Sequence, residues 1–153
     1  MLSITVAGQS RQQVDSLLQA IDQEQVDSNK LPLYQKIGNY YLDNNVTKAI
    51  EYYEKAQDIE RGLNHPLAVA NNYYSIGYCY LVKADFRKAL SNYLLSVPVY
   101  EQLKDSFRLS NALMSIGNVY SEIKDYKKAN EYFDQAEVVI KQMKDSAQLM
   151  SLL

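Results

Sequence analysis

The sequence predicts an all-α fold, a solenoid of stacked antiparallel helix hairpins. Three observations predict it. One spaced set of residues occurs three times: Gly38, Gly77 and Gly117, each preceded by Ile, are followed three residues on by Tyr41, Tyr80 and Tyr120. Next come Ala49, Ala89 and Ala129, then the aromatics Tyr53, Tyr93 and Phe133, then the small residues Ala56, Ser96 and Ala136. The spacing inside each copy is helical. In the second copy Ala70, Tyr73, Gly77 and Tyr80 share one helix face with Ile76 alongside, and Phe86, Ala89, Leu90, Tyr93, Leu94 and Val97 share the face of a second helix. Finally, five glycines and three prolines in 153 residues are too few for the frequent turns of a β-sandwich. One such hairpin cannot bury its apolar face alone, so neighbouring copies must stack.

The elements follow in order. Residues 1–9, MLSITVAGQ, are apolar with small residues at Ala7 and Gly8, and read as a tail or as the remnant of a secretory leader. The compartment is then periplasmic if residues 1–8 are such a remnant, and cytoplasmic otherwise. Residues 10–26 read as an amino-terminal capping helix, with Val14, Leu17, Leu18 and Ile21 on one face. Repeat 1 covers 27–65, repeat 2 covers 66–105 and repeat 3 covers 106–145. Pro32 and Pro66 are expected to begin the first helices of repeats 1 and 2, where a missing N–H is harmless. Asp85 and Asp125 stand in the turns and suit an N-cap. Pro98 falls inside the second helix of repeat 2, where it removes a backbone bond and is expected to kink the helix. The run KDSAQLMSLL at 144–153 repeats KDSFRLSNAL at 104–113, so residues 146–153 read as the start of a truncated fourth repeat. Phe133, Ala136 and Ile140 would then lack a full covering helix, and self-association through the carboxy-terminal end, or fraying there, is expected.

Glycine inside a helix costs about 1 kcal/mol relative to alanine. Three glycines at one register therefore need a steric reason. The reading is a close approach of the two paired backbones, with the small residues opposite and the aromatics filling the space beside that contact.

The remaining composition excludes most chemistry. The chain is 47% apolar and 22% charged with a net charge of −2, and its densest basic cluster is KDYKK at 124–128. Without a basic stripe, a nucleic-acid surface is not expected. A single cysteine, Cys79, and a single histidine, His65, form neither an internal disulfide nor a metal cage. Cys79 reads as packing, and His65 as a surface residue before a helix. No run approaches the roughly 18 apolar residues that span a bilayer, so no membrane insertion is expected of this segment. There is no glycine-rich phosphate loop and no nucleophile–base arrangement, hence no catalytic residue, metal or cofactor is expected.

The first helices, Tyr34-Ile37-Gly38-Tyr41, Tyr73-Ile76-Gly77-Tyr80 and Leu113-Ile116-Gly117-Tyr120, resemble the tetratricopeptide repeat over about residues 27–153. Two features depart from it: the period is 39–40 residues, and the usual closing Pro is absent. The resemblance implies a right-handed superhelix whose concave face is lined by the first helices, and a protein or peptide as partner. Mapped onto this chain, the inward positions are Gln35, Asn39, Asn71, Tyr74, Tyr78, Asn111, Met114 and Asn118. The Lys and Arg residues with which one subfamily clamps a terminal carboxylate are replaced here by amides, Tyr and Ser. Forty-residue repeats of this style also resemble the amino-terminal regions of bacterial sensor kinases and regulators. That implies a non-catalytic interaction module within a larger signalling protein. A free-standing cytosolic adaptor or peptide-binding regulator, and a subunit of an enzyme whose catalytic part lies elsewhere, remain open.

Overall fold

A computed structural model describes the backbone of residues 2–150 and the side chains of residues 11–144. Among them are α1 (Leu2–Gln23), α2 (Asp27–Leu42), α3 (Val46–Gly62), α4 (Pro66–Val82), α5 (Phe86–Gln102), α6 (Ser106–Glu122) and α7 (Tyr126–Met150), with no strand among the described residues. The chain forms two compact units, residues 1–68 and 69–153.

The turns explain where the helices stop. Asn64, Ala84 and Lys104 take φ of 55° and Lys124 takes 63°, each just past a helix end. The following N–H reaches back to a carbonyl of the last helical turn: His65 to Glu60 at 3.1 Å, and Asp85 to Tyr80, Asp105 to Tyr100 and Asp125 to Tyr120 at 2.9 Å. This left-handed closure satisfies carbonyls that the helix end would otherwise orphan. The same three aspartates cap the next helix. Asp85, Asp105 and Asp125 accept from the backbone N–H of Lys88, Arg108 and Lys128 at 3.2, 3.0 and 3.2 Å. One Asp thus ends one helix and starts the next; of these two roles the N-cap is the one expected for Asp85 and Asp125. Asn45 caps α3 by accepting from Lys48 N–H at 3.1 Å. Ala84 holds a left-handed conformation that glycine adopts without steric cost. Ala84→Gly is therefore expected to raise stability by about 0.5–1 kcal/mol, and Asp85→Ala to lower it by about 1 kcal/mol. Urea denaturation checks both, and a loss from Ala84→Gly would contradict strain at this turn.

Three boundaries differ from the sequence expectation. The backbone is helical from Leu2, so α1 begins before the expected start at residue 10. Extending an existing helix costs far less than nucleating one, and no Pro interrupts this stretch. Pro32 lies inside α2 rather than at its start, because the helix begins at Asp27. Its ring and Ser28 are both exposed, so water can serve the Ser28 carbonyl that Pro32 leaves without a donor. Lastly, α7 runs to Met150 without the turn that ends α5, so no separate helix starts at 146; residues 151–153 lie outside the described residues. At Lys104 the positive φ accompanies the return of α6 along α5, whereas the backbone at Lys144 stays helical. Pro66 begins α4 as expected, and α5 stays helical through Pro98. There Leu94 and Pro98 are exposed, which again leaves the freed carbonyl on the solvent side.

In the first unit α2 and α3 form a hairpin around Ile37, Ala49, Ile50, Tyr53 and Ala56, all buried. α1 lies against α2 and buries Val14, with Leu17, Leu18 and Ile21 half-buried. The second unit has a core of Ala89, Tyr93, Ile116 and Val119, against which Tyr74, Tyr80, Leu81, Phe86, Leu90, Val97, Tyr120 and Tyr132 pack. Ala70, Ile76 and Cys79 of α4 are buried there too.

The repeated residues now have roles. A Cβ placed on Gly38, Gly77 or Gly117 would lie 2.9, 2.8 or 2.5 Å from the ring of Tyr53, Tyr93 or Phe133. The close contact is therefore helix backbone against an aromatic ring, not backbone against backbone. Ala49, Ala89, Ala129, Ala56, Ser96 and Ala136 are all buried, as positions too tight for larger side chains should be. Lys48, Lys88 and Lys128, each just before the Ala, hold their ammonium groups 4.9, 5.0 and 5.2 Å from the ring centroids of Tyr41, Tyr80 and Tyr120. Such pairs contribute about 0.5–1 kcal/mol at exposed sites, which accounts for the recurring Lys and Tyr together.

Candidate functional site

The first-helix residues of the second unit lie on α4 and α6, and a hydrogen bond ties those helices together: the Tyr74 hydroxyl meets Ser115 Oγ at 3.1 Å. The Tyr74 ring leans on Tyr93, with centroids 5.3 Å apart, and so is held from behind by the core. Beside it opens a cleft of about 290 Å³ lined by Asn71, Tyr74 and Ser75 of α4, Tyr100 of α5, and Arg108 and Asn111 of α6. Further along the same two helices Tyr78 and Met114 are 45% and 43% exposed, and Asn118 is exposed as well. All six expected positions of this unit thus lie on one pair of helices, and three of them, Asn71, Tyr74 and Asn111, line the cleft.

The cleft is lined by polar and aromatic side chains, and hydrogen bonds hold its walls. Tyr100, only 1% exposed, donates its hydroxyl to Asn71 Oδ1 at 3.0 Å. Burial pushes the Tyr100 phenol up to about 12, so it remains a donor throughout the neutral range. With its oxygen occupied, the Asn71 amide turns its NH₂ group away from Tyr100. On the opposite side Arg108 pairs through Nη1 with Asp105 Oδ2, which leaves its other N–H groups for a ligand. The Asp105 carboxyl is held below its usual range, first by the Arg108 backbone N–H and then by the Arg108 side chain.

Gln35 and Asn39 in the first unit are occupied differently. Gln35 donates Nε2 to Glu60 Oε1 at 3.0 Å, and Asn39 Oδ1 accepts from the Tyr53 hydroxyl at 2.6 Å. Both act in holding α2 to α3, a role the sequence did not reveal. Tyr100, Ser75 and Arg108 were also not among the expected site residues. Superposing the repeats puts Glu60, Tyr100 and Ile140 at one position. Two polar side chains at a register that faces the core signal a buried hydrogen bond, and that signal was available.

Chemically the surface offers amide and hydroxyl groups, one guanidinium and apolar contacts. Among the described residues no cluster of three or more His, Cys, Asp or Glu is placed to hold a metal. The Cys79 thiol is buried, and burial pushes it up to about 11, which disfavours the reactive thiolate. No described helix is long and apolar enough to cross a membrane.

Family comparison fits these repeats. The family described as soluble NSF attachment protein, SNAP, matches residues 11–153. This chain belongs to that family. Solved structures with the same fold include the TPR domain of Arabidopsis FLU, 18% identical, with a TM-score of 0.70 over 76% of this chain and 99% of that one. The aspartyl phosphate phosphatase F of Bacillus subtilis is 19% identical, with a TM-score of 0.79 over 92% of this chain. The apo form of RapI is 20% identical, with a TM-score of 0.78 over the same share. This chain spans only 38% of phosphatase F and 53% of RapI. No curated protein matches it in sequence. The fold is therefore an all-α, tetratricopeptide-like solenoid.

Proposed function

We propose that this chain is a non-catalytic module that binds a protein or an extended peptide on the α4/α6 surface. The observation that carries the reading is the combination on one helix pair of a polar cleft with exposed Tyr78 and Met114. Amides fix a peptide backbone, and partly exposed aromatic and thioether side chains supply the apolar anchors from which most binding energy comes. The name of the family, an attachment protein, supports the same reading. Its setting in our reading is the partner-binding or sensory repeat region of a larger bacterial signalling protein, supported by the forty-residue repeat style. A membrane span with a kinase domain, or a DNA-binding domain, encoded in the same frame would bear out that setting.

Peptides selected from a random library on the full chain provide the test. Tyr78→Ala combined with Met114→Ala should weaken the selected peptides at least about tenfold, since each anchor contributes on the order of 1–2 kcal/mol. Lys88→Ala, whose ammonium covers Tyr80 instead, should leave them unchanged. Equal losses from both variants would refute the surface assignment.

A further inference from the structure

The geometry points to the cleft between α4 and α6 as a pocket for an acidic side chain, Asp or Glu, of a peptide lying along that surface. This rests on the binding surface proposed above and names what it selects. The argument is a census of donors and acceptors. Tyr100 donates to the oxygen of Asn71, which leaves the NH₂ group of that amide, and one further lone pair of its oxygen, for the cleft. Asn111 stands on the facing helix with an amide of its own. Arg108 adds a guanidinium whose Nη1 is engaged by Asp105, leaving further N–H donors along its edge for a carboxylate. No carboxylate lines the cleft, because Asp105 is turned to its own helix end, where it accepts from Arg108 N–H at 3.0 Å. Asp105 offsets part of the charge of Arg108, but the remaining N–H groups of the guanidinium together with the two amide NH₂ groups match an anionic acceptor and match an ammonium poorly.

Volume narrows the ligand further. About 290 Å³ is at or below the roughly 300–1,000 Å³ of clefts that enclose whole small molecules. It has room for one side chain with several waters at about 30 Å³ each. The surface continues along α4 and α6 past Tyr78, Met114 and Asn118, so the rest of a peptide has somewhere to lie. That continuity favours a side chain descending from a passing backbone over a chain end seated in the cleft.

The test uses the full-length, ¹⁵N-labelled protein and three probes: the blocked peptide acetyl-Ala-Leu-Glu-Leu-Ala-amide, its Gln analogue, and acetyl-Ala-Leu-Ala-Leu-Ala with a free carboxylate. Saturable shifts of the Asn71 and Asn111 side-chain amides and of Arg108 Nε–H are expected with the Glu peptide. The Gln analogue and the free-acid peptide should bind about tenfold more weakly or worse, the loss of one charge-assisted contact. Arg108→Gln should remove the discrimination between Glu and Gln while its spectrum elsewhere remains that of the folded chain, and Lys88→Ala should preserve it. Glu and Gln peptides of equal affinity, discrimination that survives Arg108→Gln, preference for the free acid, or no shift at the cleft up to about 10 mM would each overturn the proposal. If library-selected peptides still need Tyr78 and Met114 while acidic probes ignore the cleft, only the acidic selectivity fails. If those peptides ignore Tyr78 and Met114, the surface itself is wrong.

Discussion

Replacing Gly77 by Ala is expected to destabilise the protein by about 1–3 kcal/mol, although the same change in an unconstrained helix stabilises by about 1 kcal/mol. Sterics decide the sign. A Cβ at position 77 would lie 2.8 Å from Cδ1 and 2.9 Å from Cε1 of Tyr93. Tyr93 is itself buried among Ala89, Ile116 and Val119 and has nowhere to swing. At Gly117 the approach is closer, 2.5 Å to Phe133, but that ring is only half-buried and can give way. Gly117→Ala should therefore cost less than Gly77→Ala, despite the shorter distance. Gly62 is the internal control: nothing lies within 4 Å of its added Cβ, so Gly62→Ala should stabilise by up to about 1 kcal/mol. Urea denaturation of the three variants reads the comparison directly. Tyr93→Leu in the Gly77→Ala background should show a loss smaller than the sum of the two single changes, because the two residues share one contact. Losses at 77 that match those at 62, or a strictly additive pair, would mean that the ring does not enforce the glycine.

This contact also shows what the sequence could and could not disclose. The recurrence of Gly, Tyr, Ala, aromatic and small residue fixed the hairpins and their register, because each position has one steric requirement that repeats with the unit. The partner of the glycine was not legible. Small residues opposite one another and an aromatic over a bare backbone both follow from the same pattern, and only the coordinates separate them. The caps were legible at Asp85 and Asp125, since a carboxylate before a periodic run has a local job. The limits of α1 and α7 were not, because where a helix stops depends on what packs beyond it, and Lys104 and Lys144 carry the same local sequence.

For the candidate site, register again carried most of the information. Asn71, Tyr74, Tyr78, Asn111, Met114 and Asn118 were placed by their distance from Gly77 and Gly117, and they do lie on α4 and α6. That Glu60 and Tyr100 make buried hydrogen bonds is legible from their shared register, but the partner each one takes is not. Asn39 and Asn71 each accept from a tyrosine hydroxyl of a second helix, Tyr53 and Tyr100, 14 and 29 residues away. Those separations follow no single offset, so no periodic argument finds both. Arg108 was overlooked because it lies at the start of α6, more than two turns before Gly117, outside the stretch that the glycines index.

Glu60→Gln is expected to make the protein more stable by about 1–3 kcal/mol near pH 8 and to leave it unchanged near pH 4. The Glu60 side chain is 0% exposed in the wall of the first unit, where it accepts from Gln35 Nε2 at 3.0 Å. Burial raises its carboxyl from 4.5 to about 7, opposed in part by the Gln35 hydrogen bond. The folded state therefore binds more protons than the unfolded chain between those two values, and stability must fall as pH rises through that interval. The contribution is fully present below the unfolded value and is lost by the time pH passes about 7, where the buried group is charged in the fold as well. Glutamine keeps an oxygen for Gln35 and carries no charge, so it removes the ionisation cost while retaining the contact. Other titrating groups are common to both proteins, so the difference between the two urea-stability curves across this range isolates Glu60. A difference that grows from zero near pH 4 to its plateau near pH 8 is the expected result. A glutamine variant that is less stable than the parent at pH 8 would show instead that the carboxylate is held as an anion, and that the fold depends on its charge.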